Sequence, residues 1–163
     1  MGDVASLIAA PEQLASLLDT GRRYGVALLT TDPDSAMRLG ADGVEVASLS
    51  AYDAARARLG DRHIVGAACG SSHHLAMELA DRGADYVAFT QSGDRDAEPI
   101  IRWWSELFEV PCIAADPVGA SEVEALLALE PDFIRPSDRM WHSPEEARSV
   151  VTALMDAIAR RSG

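Results

Sequence analysis

Two spacings of apolar residues alternate along this chain. Short apolar runs, among them Val26 to Thr30, Ile64 to Ala68 and Pro111 to Ala115, are separated by longer stretches in which apolar residues return every three or four positions. The runs predict strands and the stretches predict amphipathic helices. From the start, Val4 to Ala9 reads as a strand and Glu12 to Arg23 as a helix, and the alternation continues to a final helix that opens at Ser143, Pro144 and Glu146 and extends to about Arg160. Those three residues form a capping box with proline at the first helical position. A helix over 94 to 108 carries Ile100, Ile101, Trp103, Trp104, Leu107 and Phe108 as a wide apolar stripe, whose expected role is core packing.

A recurring phrase punctuates the pattern. Gly40-Ala41-Asp42-Gly43-Val44, Gly83-Ala84-Asp85-Tyr86-Val87 and, more loosely, Glu130-Pro131-Asp132-Phe133-Ile134 each join the end of a helix to the start of a strand. The glycines suit the left-handed position that ends a helix, and the aspartates are expected to hydrogen-bond backbone within the turn. About seven strand-helix units result. Their strands are nearly continuous apolar runs, the mark of strands buried on both faces of a parallel sheet. Short loops and steady alternation fit a barrel or a doubly wound sheet in one domain over 1-163.

Composition narrows the partners. With 163 residues, 48% hydrophobic and 25% charged, the chain is globular and fits one domain. A formal net charge of -12 argues against nucleic acid and anionic membranes, which are bound through clustered Lys and Arg, and the basic clusters are only Arg22-Arg23 and Arg160-Arg161. No apolar run approaches bilayer length and the start lacks signal-peptide character, so a cytoplasmic location is expected. Cys69 and Cys112 form no CxxC pattern and are expected to be buried free thiols.

The segment Tyr24 to Asp32, followed by Ala36 to Val44, resembles the third and fourth strands of the thiamine phosphate synthase family, where a strand ends in Asn-Asp and a short helix leads to Gly-Ala-Asp-Gly-Val-His. Ile64-Val65-Gly66, Gly83 to Val87 and Val110 to Ala114 are similar to the family's next three strands, and the likeness covers roughly residues 22 to 158. It implies an α/β fold of the TIM-type (β/α) barrel class, here lacking the first strand-helix unit. It also implies thiamine biosynthesis: a transferase that joins a pyrimidine methyl diphosphate to a thiazole phosphate with magnesium assistance.

Several positions that carry this chemistry in the family differ here. The Gln-x-Arg-x-Lys element has no cationic counterpart in Ser6 to Ala10, and Asn-Asp becomes Thr31-Asp32. The second acidic metal ligand falls at Ser50, and the Ser-Thr-His element becomes Ala68-Cys69-Gly70 with Ser71 following. The Thr-x-Thr-Lys phosphate loop becomes Gln91-Ser92-Gly93-Asp94, and the Gly-Gly turn becomes Asp116-Pro117. Ser137 matches the family's last phosphate-binding serine. The resemblance therefore implies a degenerate synthase that binds a phosphorylated thiazole or related heterocycle.

The expected substrate-binding residues are Thr31, Ser137, Arg135 and Arg139, with Asp32 as a magnesium ligand. Asp32 also reads as an N-cap before Pro33. Glu45 reads either as a buried hydrogen-bonded carboxylate or as an acid-base group, and Gly70-Ser71-Ser72-His73-His74 as a helix start. Alternatives on the same scaffold are a tautomerase-like enzyme, favoured by a histidine near the strand ends where only His63 stands at a strand start, and a non-catalytic partner of a complete homologue. The unpaired edges at 4 to 9 and 132 to 136 lead to the expectation of a homodimer.

Overall fold

In the computed structural model, which describes residues 5–90, 99–117 and 119–161, strands and helices alternate from end to end. The elements are β1 (Ala5–Ile8), α1 (Pro11–Tyr24), β2 (Val26–Thr30), α2 (Pro33–Leu39), β3 (Gly43–Val46), α3 (Leu49–Leu59), β4 (Ile64–Gly70) and α4 (His73–Asp81). They continue with β5 (Val87–Thr90), α5 (Ile100–Leu107), β6 (Cys112–Ala115), α6 (Ala120–Leu127), β7 (Phe133–Arg135), a 3-10 turn (Asp138–Met140) and α7 (Pro144–Arg161). The described residues thus contain seven strands, the number expected. Val4 and residues 94–98, part of the strand and helix expected there, lie outside the described residues. Of the helix expected over 94 to 108, the described part is Ile100–Leu107, entered from Pro99.

Two compact units make up the chain, Met1–Val87 and Ala88–Gly163. In the first, β1–β2, β2–β3 and β3–β4 pair in parallel, in registers that set Leu7 beside Leu28, Leu29 beside Gly43 and Glu45 beside Gly66. Helix starts there use the residues the sequence offers. Asp32, Ser48 and Ser72 accept hydrogen bonds from the backbone N–H of Ser35, Ala51 and Leu75, each meeting one of the donors a helix start leaves over. Leu28, Leu29, Val44, Val65, Ala55 and Leu79 fill its core.

In the second unit β6 and β7 are parallel, with Ala115 beside Arg135. Trp104 anchors its core: fully buried, it donates from Nε1 to the Val110 carbonyl at 2.7 Å and stacks on Phe108 with centroids 4.0 Å apart. Aromatic packing is thus the role of the stripe, with one correction: Leu107 is 66% exposed and takes no part in it. At α7, Ser143 Oγ accepts from the Glu146 N–H, and the Glu146 carboxylate accepts from the His142 N–H, one residue earlier than in the standard box.

The repeated aspartates work differently from the expectation of a bond within the turn. Asp42 accepts from the Leu28 N–H with its carboxylate at 2.7 Å and donates its own N–H to the Leu28 carbonyl at 2.8 Å. Asp85 does the same with Val65, at 2.7 and 3.1 Å, and Asp132 with Cys112, at 2.8 and 3.1 Å. Each aspartate is a two-point clamp that ties the start of one strand to the preceding strand. Asp85 also meets Arg56 at 2.8 Å, and that guanidinium donates to the Gly60, His63 and Gly83 carbonyls.

The third phrase differs from the first two in its backbone cost. Gly40 and Gly83 have φ of 74° and 89°, and Glu130, in the matching place, has φ of 59°. A side chain in the left-handed region costs about 1–2 kcal/mol, while glycine gives back roughly 0.4–1 kcal/mol through a freer unfolded chain. Glu130→Gly is therefore expected to stabilise the protein by about 0.5–1 kcal/mol. A urea midpoint raised at unchanged m-value would show it; a lowered midpoint would mean that contacts of the Glu130 side chain outweigh the strain.

Candidate functional site

Because the paired strands in each unit are parallel, the loops that follow them gather at one end of that unit's sheet. In the first unit these loops carry Thr31, Asp32, Ser48, Ser71 and Ser72, with Ser50 and His73 in the first turns of α3 and α4. Thr31 and Asp32 are exposed. The Asp32 carboxylate caps α2 through the Ser35 N–H at 2.9 Å, and its hydrogen bonds with Ser35 hold its pKa below the usual value. Thr30 Oγ1, two positions earlier, is buried and has no hydrogen-bond partner among the described residues. It shares the strand face of Leu28, whose side chain lies against Gly21 of α1, and so belongs to the helix-facing side.

Magnesium is held by hard oxygen ligands, chiefly carboxylates and substrate phosphates. Asp32 supplies one carboxylate, already engaged in capping, and Ser50 offers a hydroxyl 3.4 Å from that of Ser48. Among the described residues no three His, Cys, Asp or Glu side chains gather as an ion site. Asp32 is the carboxylate these loops would offer such an ion, and substrate oxygens would have to complete its shell.

Inside the first unit, a contact appears that the chain pattern does not announce. Tyr86 donates its hydroxyl to Glu45 Oε2 at 2.8 Å, with Glu45 9% and Tyr86 8% exposed. Gly66, the register partner of Glu45 on β4, makes this possible, since a Cβ there would fall inside the Tyr86 ring. Glu45 is thus the hydrogen-bonded buried carboxylate of the two readings.

β4 runs to Gly70, two residues beyond the expected Ala68, and this corrects the placing of the histidines. His73 is the first residue of α4, three positions past the strand's C-terminal end, whereas His63 stands before the strand with Nδ1 2.9 Å from the Leu59 carbonyl. His74 faces Glu78 at 3.6 Å. Both cysteines are free and buried, as expected.

Burial, and secondarily the negative Glu45, push the Cys69 thiol up to about 12, and burial chiefly pushes Cys112 up to about 11. The folded state therefore holds both protons where the unfolded chain releases them, from its ordinary value of 9.0 upward. Stability is expected to be unaffected by these thiols below pH 9 and to fall as pH rises toward 11 and 12. Thiol titration at pH 8 should find both groups unreactive in the native protein and two reactive after denaturation; rapid native labelling at that pH would contradict their burial.

In the second unit the loops after β6 and β7 are stitched together. Asp116 donates its N–H to the Arg135 carbonyl at 2.9 Å and Ser137 donates to the Pro117 carbonyl at 3.1 Å. Asp116 has φ of 64°, so the turn keeps the left-handed shape natural to glycine while carrying an acid. Ser137 is 6% exposed, and its Oγ accepts from the Arg139 N–H at 3.3 Å and lies 3.5 Å from Arg139 Nε and from Asp138 Oδ1. Thr31 and Asp32 belong to the first unit, and Ser137, Arg135 and Arg139 to the second. Gln91 to Asp94 lie outside the described residues.

Parallel strands alternating with helices, with the connecting loops at the strand ends, define an α/β scaffold of the TIM-barrel class. Comparison with known proteins makes this specific. The thiamine monophosphate synthase family profile matches residues 6–134, and the chain belongs to that family. A thiamine-phosphate synthase of Rhodospirillum centenum is 38% identical over 148 residues, covering 85% of this chain and 70% of the relative. One of Hyphomonas neptunium is 32% identical, covering 97% of this chain and 83% of the relative. The fold matches the solved thiamine phosphate pyrophosphorylase from Pyrococcus furiosus at a TM-score of 0.78 and 20% identity, covering 98% of this chain and 85% of that one.

Proposed function

We propose that this member of the thiamine monophosphate synthase family binds a phosphorylated thiazole, or a related phosphorylated heterocycle, at the loops after β6 and β7 and does not couple it to a pyrimidine diphosphate. The observation that carries the binding half is Ser137. It is buried at the end of β7, held to the neighbouring loop through Pro117, and has the Arg139 backbone and guanidinium on its hydroxyl. Phosphate recognition rests on such fixed donors together with guanidinium charge.

The second half rests on what a departing diphosphate needs, which is concentrated positive charge at the bond that breaks. Around the strand ends, Asp116 stands in the turn where the family has glycine, Asp32 is spent on a helix cap, and Ser50 supplies no charge. Each such loss of roughly 4 kcal/mol of transition-state stabilisation lowers the rate about a thousandfold. With both substrates and saturating magnesium, turnover is expected to lie at least that far below an intact synthase; turnover within tenfold of one would overturn the assignment. Calorimetric titration with the thiazole phosphate should show binding that weakens in Arg139→Ala and at higher salt. Unchanged affinity in both Arg135→Ala and Arg139→Ala would remove these loops as the site.

One observation favours a second reading, an isomerising enzyme that moves a proton on a thiazole. His73 lies three positions past the C-terminal end of β4, at the start of α4, where an imidazole can serve as a general acid or base. Solvent-proton exchange into a thiazole probe, lost in His73→Ala while binding persists, would support it over the binding-only reading.

A further inference from the structure

Helix α7 differs from every other α-helix of the chain. The others each bury at least two residues, such as Leu14 and Gly21 of α1, Ala76 and Leu79 of α4, and Val123 and Leu126 of α6. Over Pro144 to Arg160, α7 buries none, although it carries Ala147, Val150, Val151, Leu154, Met155 and Ile158. Val151 and Met155 are 49% and 48% exposed. Its contact with the body is partial: Ala157 and Arg160 face Glu124 and Leu127 of α6 across a shallow cleft of about 190 Å³. Residues 151 and 155 lie more than 90° around the helix from Ala157, away from α6.

We propose that α7 is the seam of a homodimer, in which two copies of the helix pair antiparallel about a two-fold axis at their midpoint. The intervals from Ala147 to Val151, Leu154 and Ile158 are four, three and four, the alternation of a two-helix seam, and they read the same in both directions. The flanking Val150 and Met155 are symmetric about the same midpoint between 152 and 153. An antiparallel second copy therefore sets Val151 against Leu154 and small Ala147 against large Ile158, twice over. A two-fold interface requires such self-complementarity.

The ends agree. Glu145 and Glu146 occupy the first turn, so an antiparallel pair keeps the acidic start of each helix away from that of its partner. The helix dipoles then oppose as well. A parallel pair would place like charges together. With the chain at -12 overall, an apolar seam whose acidic starts are kept apart is a surface where two copies can meet with less repulsion.

Sedimentation equilibrium of the full chain from about 1 to 100 µM tests this. The wild type is expected to dimerise within that range. Val151→Lys with Met155→Lys is expected to weaken the dimer tenfold or more at unchanged circular dichroism, because buried like charges oppose pairing. Met37→Lys, at another exposed apolar residue on α2, should leave it unchanged. A wild type that stays monomeric throughout overturns the proposal, as does a folded double variant that dimerises as tightly as the wild type.

Discussion

Gly43→Ala should destabilise the protein by on the order of 4 kcal/mol, the largest effect expected of any single methyl group added to it. Gly43 pairs with Leu29 on one side and Ile64 on the other, at the start of β3. A Cβ at this position would stand 2.7 Å from the carbonyl carbon of Ile64 and 2.8 Å from its Cα, and closer still to the oxygen. The obstacle is backbone in a parallel ladder, so no rotamer change relieves it. Folded domains hold only about 5–15 kcal/mol in reserve, and such a loss leaves a substantial unfolded population at moderate denaturant. Urea titration and hydrogen exchange at the β3 and β4 amides would measure it. Gly119→Ala, where nothing lies within 4 Å of the added carbon, is the control and should be nearly neutral. Equal stability of the two variants would mean that β3 and β4 separate at little cost.

Asp85→Ala should follow, with a loss of about 2–4 kcal/mol. The carboxylate is the acceptor for the N–H of fully buried Val65, and an unpaired buried donor costs roughly 1–3 kcal/mol. Its ion pair with Arg56 adds a smaller amount, because the Asp85 side chain is 45% exposed and solvent screens the charge. Asp132→Ala removes the same clamp from the Cys112 N–H without the arginine and should cost less. Asp85→Asn keeps an oxygen for Val65 and should recover most of the loss. If Asp85→Ala and Asp85→Asn proved equally stable, the clamp would contribute nothing and the Arg56 network would be the whole effect.

The tandem fate of the three aspartates shows where reading the chain succeeds and where it stops. Gly-Ala-Asp stands out as a unit of punctuation because the left-handed glycine and the strand that follows are properties of a few consecutive residues. The helix caps at Ser48, Ser72 and Ser143 are legible for the same reason: cap and donor are three positions apart. So are the strands at Val26–Thr30 and Cys112–Ala115, whose apolar runs reflect burial on both faces. The partner of each aspartate is not legible in this way. It lies 14 or 20 residues away, on a strand brought alongside only when the intervening helix folds back.

The candidate site divides along the same line. Ser137, Arg135 and Arg139 could be marked from the chain because they follow the last strand, and Asp32 because it precedes a proline at a helix start. Whether Asp32 is spent on a cap, whether Asp116 accepts a left-handed backbone, and whether Glu45 meets Tyr86 over Gly66 depend on register and on the close approach of β3, β4 and the segment after α4. By itself the sequence determined the elements, the fold class and the family, because periodicity and capping act over a few residues. Tertiary structure alone decided which polar groups are spent on each other, because a pairing across 41 residues exists only once the strands lie side by side.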